Sequence, residues 1–139
     1  MEHNFKNMEK GELHVHLNGL VSTHLVIDLL QQQGAVIPDS FDLEKDLTRF
    51  TPSPDHQTYL KPWQVLRLIP QGRTALNLMV VSAFENLAAQ NVKFVELRSS
   101  VIYLAFLNNI TVPEALLWLT EEIYSASIKY SIRGGLILT

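Results

Sequence analysis

The sequence predicts an α/β chain built on a parallel sheet. Three extended runs, "ELHVHL", "VKFVELRSS" and "SIRGGLILT", are separated by segments whose apolar residues recur at helical spacing. Their order is strand, helix, insertion, helix, strand, helix, strand, which suits parallel strands joined by right-handed crossovers.

In the first run Leu13, Val15 and Leu17 alternate with Glu12, His14, His16 and then Asn18, which predicts a strand with two different faces. Ser22 is placed to cap a helix through "THLVIDLLQQQ", with Leu25, Val26, Leu29 and Leu30 on one side and Gly34 at its end. A very short turn at Gly19 joins strand to helix. From Ala35 to about Pro70 the periodicity fades, and Pro38, Pro52, Pro54 and Pro62 cut the chain into short pieces, among them "TYLKPWQVL". Structureless stretches of this length are uncommon inside a domain and often form lids or binding elements; a packed surface excursion is the plainer alternative.

After Gly72 the run "RTALNLMVVSAFENLAAQN" reads as one long helix with a broad apolar stripe at Leu76, Met79, Val80, Ala83, Phe84 and Leu87. "VKFVELRSS" follows as the second strand. "TVPEALLWLTEEIYSASIKY" is a further helix, opened by Thr111 with Glu114 at capping-box spacing; packing along it accounts for Trp118 and Tyr124. The third strand, "SIRGGLILT", would stand with an uncovered edge. No repeat, low-complexity tract or linker divides the 139 residues, so they are read as one domain, 1–139, with 35–70 as its insertion.

The formal charge of -3 is spread without long like-charge runs, which argues against nucleic acid or anionic lipid as a partner. No apolar run approaches the ~20 residues of a membrane span, and the polar start "MEHNFKNMEKGE" is unlike a secretory signal, so a cytoplasmic protein is expected. Cysteine is absent, so any metal must be held by nitrogen and oxygen donors.

Residues two apart on a strand lie on one face, roughly 6.5 to 7 Å apart, so His14 and His16 can converge on one ion. Asn18 presents an amide on the same face, nearer the strand's carboxyl end, where parallel α/β enzymes build their sites. Two histidines are a weak signal in isolation, and hydrogen bonding to backbone or carboxylate is the alternative. His3, His24 and His56 fit no pattern and read as ordinary polar residues. Glu96 and Arg98 share a strand face as a candidate interior ion pair. A flavodoxin-like binding domain would need a glycine-rich phosphate loop after the first strand, and "NGLVS" has one glycine.

The stretch "KGELHVHLNGLVSTHLVIDLLQQQGAVIP" resembles the opening of the adenosine deaminase family, in which a "K-x-ELH-x-HL-(D/N)-G" strand begins a metal-dependent (β/α)8 barrel. In the right order, "YLKPW" resembles the family's lid helix, "VKFVELRSS" its second strand and "IRGGLILT" the start of its third. The resemblance spans residues 10–139 and implies a partial (β/α)8 TIM barrel, the first three strands with their helices and a lid insertion. It implies that His14 and His16 are two ligands of a catalytic Zn²⁺. It implies that Asn18, Gly19, Leu60 and Trp63 contact a purine nucleoside or nucleotide, with Leu60 and Trp63 in the lid. Asn18 matches a position that is often Asp in adenosine deaminases, and Asn there is more like the branch acting on N-methylated AMP. Where the family shows "RYSP" this chain has "RSSV", so the loop after Arg98 is expected to differ.

The remaining groups of the resembled site, a third His, an Asp ligand, a Glu acid and a His that orients hydroxide, come from the family's later strands. No catalytic residue is therefore assigned within this chain. A full barrel takes roughly 250 residues. The expectation is an amino-terminal part that deaminates only when completed, with an incomplete metal site and an exposed sheet edge open to self-association or a partner chain. The alternative is a catalytically silent relative that serves as an assembly or complementation piece.

Overall fold

A computed structural model describes residues 5–48 and 51–139. His3 and residues 49 and 50 of the insertion lie outside the described residues. Three strands, β1 (Lys10–His16), β2 (Val92–Ser99) and β3 (Arg133–Leu138), form one parallel sheet in the order β1-β2-β3. The parallel direction follows from the crossovers, since each strand returns to the same end of the sheet through helix. Between β1 and β2 run α1 (Leu17–Leu20), α2 (Thr23–Gln32), three short insertion helices α3 (Leu43–Leu47), α4 (His56–Leu60) and α5 (Trp63–Leu66), and the long α6 (Arg73–Ala89). Between β2 and β3 lie α7 (Val101–Asn108) and α8 (Val112–Tyr130).

Local chemistry sets these boundaries. Ser22 caps α2 by accepting from the Leu25 amide, and Gly34 closes it at a φ of +59°. Thr111 accepts from the Glu114 amide at the start of α8. α7 and α8 end on Asn109 and Ser131 in left-handed conformation, at φ 52° and 55°. The helix α7 departs from the sequence reading, which assigned nothing to "VIYLAFLN". An eight-residue run apolar on every side carries no period, so its caps, Ser100 and Asn109, are the legible signals.

The strand β1 also departs from simple alternation. Glu12 pairs with Val95 and Val15 with Leu97, so β1 uses one residue more than β2 over this interval and bulges at Leu13 and His14. His14 sits at φ +59°, and Leu13, expected inward with Val15, is 58% exposed.

The apolar stripe expected on α6 is buried at every position from Leu76 to Leu87. Leu76, Val80, Ala83, Phe84 and Leu87 join β2, α7 and α8 in one core. Ala75 and Met79, on another face of α6, join Val26, Leu29 and Leu30 of α2 and Val65, Leu66 and Ile69 of the insertion in a second. Glu122 of α8, almost fully buried, accepts from Arg73 Nε at 3.0 Å and from Asn77 Nδ2 at 2.7 Å, fastening α8 to α6. Among the described residues no single helix is long and apolar enough to cross a membrane.

β3 passes close over this core. A Cβ at Gly134 would lie 2.7 Å from Ser127 Oγ, 2.9 Å from Ile123 Cγ2 and 3.1 Å from the buried Phe84 ring, whereas one at Gly135 would meet nothing nearer than 3.7 Å. Gly134→Ala is therefore expected to destabilise the chain by about 1 to 3 kcal/mol through overpacking. Gly135→Ala should stay within about 0.5 kcal/mol of the parent. Urea unfolding midpoints of the two variants check this; equal midpoints would contradict the close packing of α8 on β3.

Candidate active site at the strand ends

The three parallel strands finish together, and their carboxyl ends surround a cavity of about 280 Å³. His16 ends β1, and Arg98, paired with it across the sheet, together with Ser99 ends β2; Thr139 follows β3. Asn18 on α1, Trp63 on α5, and Arg67, Ile69 and Pro70 beyond it close one side. Ser100 and α7, through Tyr103, Leu104 and Leu107, close another. The lining is apolar around a few polar groups, the usual constitution of a small-molecule site.

The rings of His14 and His16 stand with centroids 6.4 Å apart and planes at 63°. Trp63 packs edge-on against His16 at 5.1 Å. Burial first, then the charge of Arg98 and then His14, hold the His16 imidazole below the usual 6.5, which keeps it neutral at pH 7. Arg98 contacts His14 through Nη1 and Nε2. A guanidinium can only donate, so a neutral His14 presents its Nε2 lone pair there and carries its proton on Nδ1. Arg98 therefore serves His14, and the ion pair considered between Glu96 and Arg98 is not among the salt bridges of the described residues.

Asn18 spends its amide differently from a group held free for a ligand. Its Nδ2 donates to the Leu66 carbonyl at 2.8 Å and to the Ile69 carbonyl at 3.1 Å, leaving Oδ1 as an acceptor. Gly19 lies on α1 with an ordinary negative φ, so the turn after β1 is one helical turn and needs no glycine. It lines a second cavity of about 280 Å³ behind Trp63, with Val21, Tyr59 and Leu66. Leu60, at the end of α4, is 40% exposed and lines neither cavity. The fold thus brings His16, Asn18 and Trp63 to one cavity with His14 beside His16, sets Gly19 on the far side of Trp63 and leaves Leu60 outside. Arg67 and Tyr103 line the cavity without having been singled out in the sequence; capping residues around α7 were the signal for Tyr103, and Arg67 carried none.

As a test for a metal, the donor chemistry fits: two imidazoles stand with ring centroids 6.4 Å apart near a strand end. Two rings bound tetrahedrally to one ion at Zn–N bonds of about 2.0 to 2.1 Å have centroids roughly 5 Å apart, so these two must close by about 1 Å. An ion taken at His14 Nε2 also displaces Arg98 from that lone pair. Among the described residues no third His, Asp or Glu stands with the pair, so the histidines fit as two corners of a larger set.

The family profile described as adenosine deaminase matches residues 9–130. Curated adenosine deaminases from Clostridium botulinum (strain 657) and Vibrio vulnificus (strain YJ016) are 29% and 26% identical over 97% and 98% of this chain, and the chain spans 41% of the length of each. A crystal structure of an amidohydrolase from Burkholderia ambifaria with bound Zn aligns at a TM-score of 0.77 and 23% identity, over 96% of this chain and 36% of that one. The crystal structure of an adenine deaminase from Arthrobacter aurescens aligns at 0.70 and 20% identity, over 92% and 38%. These likenesses confirm the partial-barrel expectation for the fold. With a profile match over most of its length and the strand, lid and second-strand motifs in order, the chain belongs to the adenosine deaminase family, as an amino-terminal portion of it.

Proposed function

We propose that this chain supplies the amino-terminal part of a zinc-dependent hydrolytic deaminase that converts an adenine nucleoside or nucleotide to its inosine counterpart. The convergence of His16, Asn18 and Trp63 on one cavity at the carboxyl ends of parallel strands, in a chain of this family, carries the reading. The zinc in the Burkholderia amidohydrolase supports the choice of metal. When bound in such a site, the ion lowers the pKa of its water and so supplies a nucleophile near neutral pH.

The chain's own residues then have distinct tasks. His14 and His16 would hold the ion through neutral nitrogen, and burial together with Arg98 keeps His16 in that form. Trp63 covers the cavity with a flat apolar surface suited to a purine and keeps bulk water from its mouth. Asn18 offers Oδ1 to a ribose hydroxyl, while substrate contacts for Gly19 and Leu60, which do not line this cavity, rest on the motif alone. Two ligands hold an ion weakly, so the 139-residue chain by itself is proposed to be inactive until later strands add the remaining groups.

Ammonia release and the ultraviolet change from adenosine to inosine, with AMP in parallel, distinguish the outcomes. A longer gene product that contains this chain should show both signals, and His16→Ala should lower its turnover by about 100-fold or more, given that even outer partners of metal ligands cost about 10- to 100-fold. If a zinc-loaded longer product gives neither signal with either substrate, the chain is instead a silent assembly piece. Stoichiometric zinc in the 139-residue chain, read by elemental analysis, would contradict the incomplete site.

The titration of His16 gives a second check. In metal-free protein its ring signals in NMR should move at a pH below 6.5, and Arg98→Leu should shift the midpoint part of the way back, because burial, the larger cause, remains. The unfolded chain protonates this ring before the native state does, so stability should fall as pH drops from about 6.5 toward the native midpoint. An unshifted midpoint in the parent protein would remove the electrostatic basis for a neutral ligand.

A further inference from the structure

We infer that Asn18 is a positioning residue that anchors the segment from Trp63 to Pro70 on the end of β1 and thereby seats Trp63 against His16. A carboxamide has two N–H bonds, and Asn18 commits them to the carbonyls of Leu66 and Ile69, at 2.8 and 3.1 Å. These acceptors lie 48 and 51 residues away in sequence, so the contact ties the strand-end turn directly to the insertion. Leu66 closes the same single-turn helix that Trp63 opens, so fixing its carbonyl fixes the backbone turn from which the indole projects against His16.

The far end of the segment is held in the same manner. Asn108 Nδ2 donates to the Pro70 carbonyl at 3.1 Å, and its Oδ1 accepts from the Gly72 amide at 2.5 Å. Gln33 Oε1 accepts from the Gln71 amide at 3.1 Å. Side-chain amides suit this work because the segment has no strand partner, and the backbone donor to the Leu66 carbonyl, the Ile69 amide, stands at a long 3.5 Å. Asn18 differs from the other two in holding the half that carries Trp63, at the wall between the two cavities. An aspartate there has the same shape but no N–H, and its oxygens would face two carbonyl oxygens. The inference rests on this geometry and stands apart from deamination.

The test uses the 139-residue chain with Trp118→Phe, so that Trp63 is the one remaining tryptophan. Asn18→Asp is compared with Asn18→Ser, a milder variant that also loses both N–H donors but sets no charged oxygens against the carbonyls. Hydrogen exchange at the amides of residues 65–69 should rise roughly tenfold in Asn18→Asp and less in Asn18→Ser. Acrylamide quenching of Trp63 should increase in the same order, while exchange in α6 and β2 stays at the parent's rate. Parent-like exchange and quenching in both variants would overturn the anchor. So would acceleration spread evenly over α6 and β2 in the Ser variant as well as the Asp variant, because that is loss of global stability.

Discussion

Parallel pairing of the three strands is the constraint on which the rest depends. It sends every chain excursion back to the same starting end and so collects the strand exits at the opposite end. The register makes this concrete: His16 stands opposite Arg98, and Arg98 opposite Ile137, in one row across the sheet. The Thr139 amide then donates to the Ser99 carbonyl, carrying the pairing to the rim of the cavity. Side chains distant in sequence meet there because hydrogen-bonded backbones fix their heights, and no loop has to be trusted with that placement.

The insertion takes part in the site because α6 is buried on two faces. One face completes the core under the sheet and the other receives α2 and the end of the insertion. Met79 and Val80 are neighbours in sequence, both fully buried, and belong to different cores. This shared helix transmits the position of the sheet to Val65, Leu66 and Ile69, and hence to Trp63. Weakening either core would therefore disturb the cavity wall without touching any residue that lines it.

Much of this was legible in the sequence, and the exceptions have physical causes. Strong periods revealed β2, α6 and α8, and short polar caps at Ser22 and Thr111 marked helix starts. The apolar segment of α7 has no polar face to set a period, and it packs Val101, Leu104 and Ala105 inward while Ile102 and Phe106 remain exposed. The bulge in β1 was invisible because alternation cannot reveal an extra residue whose side chain is turned out by a positive φ. For the same reason the pairing of His14 with His16 rests, in the sequence, on a regular pleating that the strand does not obey. Leu60, expected in the lid from its motif, ends α4 at 40% exposure, and its neighbour Tyr59 lines the second cavity.

The bulge also explains how the two imidazoles come near each other at a wide mutual angle. A non-glycine residue in left-handed conformation costs on the order of 1 kcal/mol, and His14 carries that cost between two ladder pairs, Glu12 with Val95 and Val15 with Leu97, whose β2 members are fully buried. Beside it Arg98 Nε is buried without a hydrogen-bond partner, a further expense of about 1 to 3 kcal/mol in a typical interior. Among the described residues the other buried side-chain atom in this condition is Ser127 Oγ, which lies under Gly134 at the tight α8–β3 contact and is accounted for by packing. Arg98 borders the cavity and meets His14 Nε2 through its Nη1. Strain at His14 and unmet hydrogen-bonding capacity at Arg98 thus coincide at the neighbouring ends of β1 and β2. That is the distribution expected where a fold has been bent toward chemistry rather than toward its own stability.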